Sequence, residues 1–292
     1  MPKVSFCFST LLSAAILTFC LAAAIQAQSG NAPAISLPSA EPTPQPPSNP
    51  TTNDQFLARA SGIYFSAIRT GLNGFTCEVH PNWRTLLLSS SKGVSVASND
   101  PRITLAQSVK ITLHARLAGG STVDWNPISG PAHPPDPNST NILDSLHKGT
   151  NQSLLGFMQF WSPFVNGSLI PTVSTGMEIT NSEKGHSLHA DVNGTAVTEL
   201  IDDSLVLQRF DVVSPAMIVH ITPRFQRTDK GLLVKGFLAR LQAPGVQPDQ
   251  AQEVHVEMEY QNVHDLPIPA RINMDVTNSA TFNFTLDQCS VN

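Results

Sequence analysis

The stretch SLHADVNGTAVTELI, residues 187–201, decides the fold. Its centre, Asn193-Gly194, is the dipeptide most typical of a two-residue β-hairpin turn, because both residues tolerate a positive φ angle. Apolar and β-branched residues flank the turn on both sides, as they do in paired strands. The segment therefore predicts two antiparallel strands.

The same pattern repeats from Val173 to the C-terminus. Apolar or β-branched runs recur about every ten residues and are separated by residues that favour turns. These turn segments are residues 183–185, 193–194, 202–203, 229–231, 244–245 and 277–279. We therefore predict a β-meander, and no alternation of strands with helices indicates parallel βαβ units.

Helical patterns precede the meander. The spacing of apolar residues over 56–68 predicts a helix that ends at Gly71. Short helices are predicted over residues 81–88 and after the capping pair Asp100-Pro101. A long helix is predicted over residues 139–161, with Pro163 and Gly167 limiting its end.

Residues 109–117 alternate between apolar and polar side chains, which predicts a strand with one buried face. Gly119-Gly120 then turns the chain back into a second strand over residues 121–125. Helices come first and a large antiparallel sheet follows, so the expected fold class is α+β.

The N-terminus has the form of an export signal. Residues 1–27 combine Lys3, an uncharged apolar centre and small residues before a cleavage point. An uncleaved membrane anchor and lipidation at Cys20 are the alternatives. Residues 28–53 are rich in proline and predict a disordered linker, and residues 54–292 form a single domain. We expect the mature protein in the periplasm or outside the cell, without a transmembrane segment.

Composition excludes one class of partner. Only 13% of the residues are charged, the net charge is −5, and no basic block is present. Binding to nucleic acid requires a clustered positive field, so nucleic acid is not expected as a partner.

Two cysteines, Cys77 and Cys289, remain after removal of the signal. In an oxidising compartment such a pair favours a disulfide, which would join the first strand to the last. Two free thiols with a redox or metal role are the alternative, but the CxxC spacing typical of that chemistry is missing.

Motifs of known enzymes are largely missing: the sequence contains no HExxH, P-loop, GxSxG or GxGxxG. Ser145 and Lys148 match the SxxK spacing, but the companion elements SDN and KTG do not occur. His186 and His189 lie three residues apart on a predicted strand and so point to opposite faces.

His255, Glu257 and Glu259 alternate with apolar residues and share one face of a predicted strand. A histidine beside two carboxylates could bind a metal or transfer protons. The solvated face of an antiparallel strand carries the same residues routinely.

An aromatic cluster on the long helix is the candidate binding feature. If this helix lies in a curved sheet, the cluster lines a hydrophobic pocket; the alternative is ordinary core. The cluster consists of Phe157, Phe160, Trp161 and Phe164.

Two segments carry a resemblance to a known family. Residues 260–269, YQNVHDLPIP, lead to an alternating strand, a turn and the segment FNFTLD at 282–287. This tail and the order of elements resemble the periplasmic lipoprotein carrier LolA and its mycobacterial lipoprotein relatives. The motifs GFxCxVxPxW at 74–83 and FWS at 160–162 are similar to those of a group of uncharacterised secreted proteins.

The resemblance implies a curved, incomplete β-barrel that holds helices in its concave face and encloses an apolar cavity. We therefore expect an exported, non-catalytic protein that binds or shields a lipid or other hydrophobic ligand, for example an acyl chain, with no cofactor and no metal. A structural or protein-interaction module of the cell envelope is the second hypothesis. A hydrolase without a recognised motif is the third.

Overall fold

The computed structural model describes residues 52–90, 96–97, 99–128, 137–167, 169–172, 174, 176–183, 185–192 and 194–292. The predicted signal (1–27) and nearly all of the predicted linker (28–53) lie outside these residues. So do Lys184 and Asn193 of the predicted turns. The predicted α+β class is confirmed: the described residues form a large antiparallel sheet and five helices.

Within the described residues the sheet contains twelve antiparallel strands in one open layer. The strands are β1 (Gly74–Pro81), β2 (Val109–Arg116), β3 (Thr122–Pro127), β4 (Met177–Ser182), β5 (Gly185–Val192), β6 (Thr195–Ile201), β7 (Leu207–Val213), β8 (Ile218–Thr228), β9 (Gly231–Gln242), β10 (Gln252–Val263), β11 (Leu266–Val276) and β12 (Ala280–Val291). Their spatial order is β3-β2-β1-β12-β11-β10-β9-β8-β7-β6-β5-β4. The predicted meander is thus confirmed from β4 to β12, and its first strand begins at Met177.

The helices are α1 (Thr52–Gly62), α2 (Ala67–Thr70), α3 (Trp83–Ser90), α4 (Pro101–Gln107) and α5 (Pro137–Asn166). A short 3₁₀ turn, Pro248–Gln250, lies between β9 and β10. None of the described helices is long and apolar enough to cross a membrane.

The starts of the two short helices follow their capping residues. The Asn82 side-chain oxygen accepts a hydrogen bond from the Thr85 amide (3.1 Å), at the start of α3. Asp100 accepts one from the Arg102 amide (2.9 Å), and Pro101 occupies the first helical turn. The Arg102 guanidinium also binds Asp100 and lowers the pKa of that carboxyl to about 2. Both predicted helices are confirmed.

The first and last strands in chain order, β1 and β12, are joined covalently. β1 pairs with β12 in an antiparallel ladder that is interrupted by a bulge between Thr76 and Glu78. Cys77 lies in this bulge, and its sulfur is bonded to that of Cys289 at 1.98 Å. The predicted disulfide is therefore confirmed in the position expected, between the first strand and the last.

The predicted helix over 56–68 is interrupted, which corrects the sequence interpretation. α1 ends at Gly62, Tyr64 forms a parallel bridge with Leu232, and α2 begins only after Ser66. The Phe65 amide donates to the Leu232 carbonyl, and the Leu232 amide donates to the Ile63 carbonyl, both at 2.8 Å. These bonds to a distant strand replace the helical bonds at this point.

The long helix continues beyond its predicted end at Trp161. α5 includes Pro163 and ends at Asn166, beside Gly167. Proline removes one helical hydrogen bond, at a cost of about 3 kcal/mol. Burial of Phe164 and Val165 in the core offsets this cost, because each such side chain contributes roughly 1.5–3 kcal/mol.

One large apolar core lies between the sheet and helices α2 to α5. The alternating burial along β1, β2 and β10 shows that one face of each strand supplies it. A smaller cluster beneath α1 contains Leu57, Ala60, Tyr64, Ile170, Leu188, Ile201 and Leu207. All the described helices therefore cover the same side of the sheet, and the opposite face is mostly polar, although Leu200 and Val213 are exposed on it.

Candidate ligand cavity

A cavity of about 330 Å³ lies between α5 and strands β9 to β12. Its size is at the lower end of the roughly 300–1,000 Å³ usual for small-molecule sites. Most of its surface is apolar, and no charged side chain is among the described residues that line it. The apolar lining residues are Gly156, Phe157, Phe160, Ala216, Met217, Phe237, Leu241, Ala243, Val246, Val254, Val256, Met274, Val276 and Phe282.

Strand register explains why these side chains meet. Val254 of β10 lies opposite Ala239 of β9 and Val276 of β11. Side chains that lie opposite each other project from the same face of a sheet. Val256 and Met274 form the next pair on that face, so β10 and β11 present a continuous apolar wall toward α5.

Polar residues lie at one end of the cavity only, which we call the mouth. β9 ends and β10 begins at this end of the sheet, and the β11–β12 turn lies there too, because Val276 pairs with both Val254 and Ala280. The polar lining residues belong to these strand ends or to the turn of α5 that precedes Gly156. They are Gln152, Ser153, Gln242, Gln250, Gln252 and Ser279.

Burial follows the same direction. Gln250 is exposed and Gln252 is half-buried, whereas Phe157, Phe237 and Val256, farther along their elements, are almost inaccessible to water. The cavity is thus amphipathic along its length, with a polar mouth and an apolar interior.

Gly156 leaves room in the helix wall of the cavity. A Cβ atom at this position would meet no atom of the described structure within 4 Å. A glycine inside a helix costs about 1 kcal/mol relative to alanine. Any larger residue at position 156 would project into the space beside Phe157 and Phe160.

The structure separates the four aromatic residues that the sequence singled out. Phe157 and Phe160 line the cavity. Trp161 and Phe164 are buried behind it in the core, and they are not among the residues that line it. Two of the four therefore lie where the pocket interpretation requires, and two lie where the core interpretation places them.

Trp161 is held by a buried hydrogen-bond chain. Its indole N–H donates to the Tyr260 hydroxyl (2.9 Å), which in turn donates to the Val234 carbonyl (2.6 Å). Burial raises the pKa of Tyr260 above its usual range. This chain fixes α5 against β9 and β10, and so holds the helix wall of the cavity in position.

The strand residues of the cavity were missed at the sequence level. Phe237, Met217, Met274 and Phe282 come from four different strands or turns, and nothing local links them. A signal for the mouth did exist, since three of its glutamines fall between residues 242 and 252, around the turn at Pro244-Gly245.

The candidate proton-transfer group lies on the opposite, polar face of the sheet. His255 is about half exposed and lies 3.7 Å from the Glu253 carboxylate. Glu257 binds Arg224 at 2.9 Å, and Glu259 is paired with an arginine in the same manner, at 3.1 Å. Both carboxylates are thus engaged in exposed ion pairs.

The remaining candidate residues are also dispersed. The His186 ring packs against Phe56 at 4.4 Å, on the helix-covered side, whereas His189 binds Thr198 on the polar face. The predicted opposite orientation is confirmed. Ser145 and Lys148 are exposed on α5. Within the described ranges, no group of three or more His, Cys, Asp or Glu residues could hold a metal ion.

A second depression, of about 670 Å³, lies beside β8 and has a different character. Arg224, Arg227, Lys235 and Glu257 contribute to it, and it is open to solvent. Its charged side chains are exposed and two of them are paired, so it lacks the enclosed apolar surface of the first cavity.

Glu199 is a buried acid that the sequence analysis did not identify. It projects from β6 into the helix-covered side, between Leu188 and Phe210 on the neighbouring strands. Its Oε2 atom has no hydrogen-bond partner among the described residues. Burial raises the pKa of Glu199 to about 8, so the side chain is mostly neutral at pH 7.

Comparison with known proteins does not assign this chain to a family. Neither a protein-family model, nor a curated protein, nor a solved structure matches this chain.

Proposed function

We propose that the protein binds a hydrophobic ligand with a single apolar chain in the cavity between α5 and β9–β12. The observation that carries this proposal is the continuous apolar lining, with polar residues confined to the mouth. A cavity of about 150 Å³ holds one benzene ring, so about 330 Å³ provides room for about a dozen carbon atoms.

In this proposal the sheet curves around α5 as an incomplete barrel, and the helix forms one wall of the cavity. α5 joins the two edges of the sheet in sequence, because it connects β3 to β4. The contacts of Phe160 and Phe164 with Phe237, at 5.8 and 5.9 Å between ring centres, support a helix seated against the middle of the sheet.

We also propose that the protein acts outside the cytoplasm, as a carrier or shield for its ligand. Two features support this placement: the export-like segment at residues 1–27 and the Cys77–Cys289 disulfide, since disulfides persist mainly in oxidising compartments.

The test blocks the cavity from within. Gly156→Leu places a side chain in the open space of the helix wall, and we expect binding of a fluorescent twelve-carbon probe to fall at least about tenfold. Gly149→Leu is the matched control. It removes a glycine from the same helix, also meets no described atom within 4 Å, and does not line the cavity.

Both variants gain about 1 kcal/mol of helix propensity, so a difference in stability cannot explain a difference in binding. Equal binding by the two variants would contradict the proposed site. Native mass spectrometry of the protein from its own source, followed by lipid extraction, provides a second readout. A co-purified molecule that Gly156→Leu lacks and Gly149→Leu retains would support the proposal.

A further inference from the structure

The mouth of the cavity is polar but uncharged. Its polar side chains are four amides and two hydroxyls, which offer hydrogen-bond donors and acceptors without a net charge. The nearest charges along the chain are Lys148, one helical turn before Gln152, Asp249, next to Gln250, and Glu253, next to Gln252. Lys148 and Asp249 are exposed and carry opposite signs, and Glu253 is paired with Arg240 at 2.6 Å, so neither sign dominates at the mouth.

One acceptor at the mouth is unused. The Oε1 atom of Gln152 is shielded from water and has no hydrogen-bond partner among the described residues. Buried polar atoms of this kind are normally paired, and an unpaired one is unfavourable. A ligand that supplies an O–H or N–H group near Gln152 would remove this cost.

A charged head group would be poorly accommodated. A carboxylate or an ammonium group that leaves water requires a counter-charge or several directed hydrogen bonds. The lining described above supplies no ionised side chain. The head group that fits is therefore neutral and rich in hydroxyl or amide groups.

We infer that the ligand is an uncharged amphiphile: one apolar chain of about a dozen carbons that carries a neutral head with hydroxyl or amide donors. The chain occupies the interior beside Phe157 and Phe237, and the head lies among the glutamines of the mouth. This inference rests on the proposed function and specifies the chemical class of its ligand.

Three probes with the same twelve-carbon chain test it: 1-dodecanoylglycerol, dodecanoate and dodecyltrimethylammonium, each below its micelle concentration. Each competes with a fluorescent apolar probe for the wild-type protein. We expect 1-dodecanoylglycerol to bind about tenfold more tightly than either ion. Gln152→Leu, which removes the unused acceptor, should reduce that advantage.

A positive charge introduced at the mouth should make the protein distinguish the two ions. In Gln252→Lys we expect dodecanoate to gain at least about fivefold in affinity and dodecyltrimethylammonium to lose affinity. Gln247→Lys is the matched control, since Gln247 is exposed on the same loop and does not line the cavity. It should leave the order of the three probes unchanged.

The outcomes separate the two proposals. If none of the probes binds, the proposed function itself is wrong. If all three bind equally, or if either ion binds best to the wild-type protein, the cavity is a binding site but the inference of a neutral head group is overturned.

Discussion

Glu199 shows how a single side chain can set the pH dependence of the whole protein. Its carboxyl lies in the apolar cluster beneath α1, near the Tyr64 hydroxyl, and remains protonated up to a pH of about 8. In the unfolded chain the same group releases its proton near its ordinary pKa of 4.5. The folded state therefore binds one more proton than the unfolded state between these two values.

We predict that the free energy of unfolding falls as the pH rises from 5 to 8, by up to about 1.4 kcal/mol per pH unit from this group. The sign follows from the raised pKa, because the stability gained from the protonated acid is complete below pH 4.5 and is lost as the pH approaches 8. Glu199→Gln, which is permanently neutral, should lack this component.

Urea denaturation at several pH values measures the difference between wild type and Glu199→Gln. Glu259→Gln serves as the control, since Glu259 is exposed on the polar face and paired with Arg271. A difference between wild type and Glu199→Gln that stays constant with pH would show that the Glu199 carboxyl is not protonated in the folded protein.

At the scale of elements, the contact between α1 and β9 depends on a glycine. Gly231 has a φ angle of 113°, and a Cβ atom there would lie 2.8–2.9 Å from the backbone of Ile63, Tyr64 and Phe65. This is the segment that separates α1 from α2. The close approach of the two backbones leaves no space for a side chain.

We predict that Gly231→Ala destabilises the protein by about 3 kcal/mol or more, because the cost of a positive φ adds to a backbone clash. Gly245→Ala is the control. Gly245 has a similar positive φ of 79°, but a Cβ atom there meets no described atom within 4 Å, so we expect a loss of about 1 kcal/mol.

Chemical denaturation measures both variants, and hydrogen exchange of α1 locates the effect. Equal losses in Gly231→Ala and Gly245→Ala would mean that the α1–β9 contact contributes little to stability.

The helices, strands and turns also show which features of the fold local sequence patterns can predict. The strands and most turns were predictable, because alternation and turn residues act over a few neighbours. The turn at His264-Asp265 was not among the predicted turns: both residues adopt positive φ angles and connect β10 directly to β11. The break at Tyr64 depends on Leu232, which no local pattern reveals.

The candidate site likewise has some features that local sequence patterns predict and others that they do not. Phe157 and Phe160 could be identified because helical spacing places them on one face. The distinction between these two and their neighbours Trp161 and Phe164 depends on where Tyr260 and Phe237 lie, and this is set by strand register. Spacing within the helix therefore predicts an apolar stripe but not which part of it remains uncovered.

At the scale of the whole molecule, one covalent bond closes a very long segment. Cys77 and Cys289 are separated by 212 residues in sequence. A disulfide restricts the unfolded chain, and the effect grows slowly with the length of the closed segment. Here the bond fastens the β1–β3 unit to the end of the meander.

We predict that the double variant Cys77→Ala/Cys289→Ala lowers the free energy of unfolding by about 2–5 kcal/mol. Denaturation of wild type with and without a reductant should give the same loss, and the double variant should not respond to the reductant. Unchanged stability in the double variant would mean that pairing of β1 with β12 needs no covalent support.

The pairing of β1 with β12 also determines when the fold can be completed. A chain that is synthesised from its N-terminus presents β1 long before β12, so the antiparallel pair of β1 and β2 has one strand edge unpaired until β12 is available. Contacts between residues so distant in sequence form slowly, and an unpaired strand edge is prone to pair with other chains. We therefore expect pairing of the last thirteen residues, Ala280 to Asn292, to complete the sheet late in folding. A chain that stops before them retains eleven strands, but β1, and with it the β1–β3 unit, has no strand that connects it to the rest of the sheet.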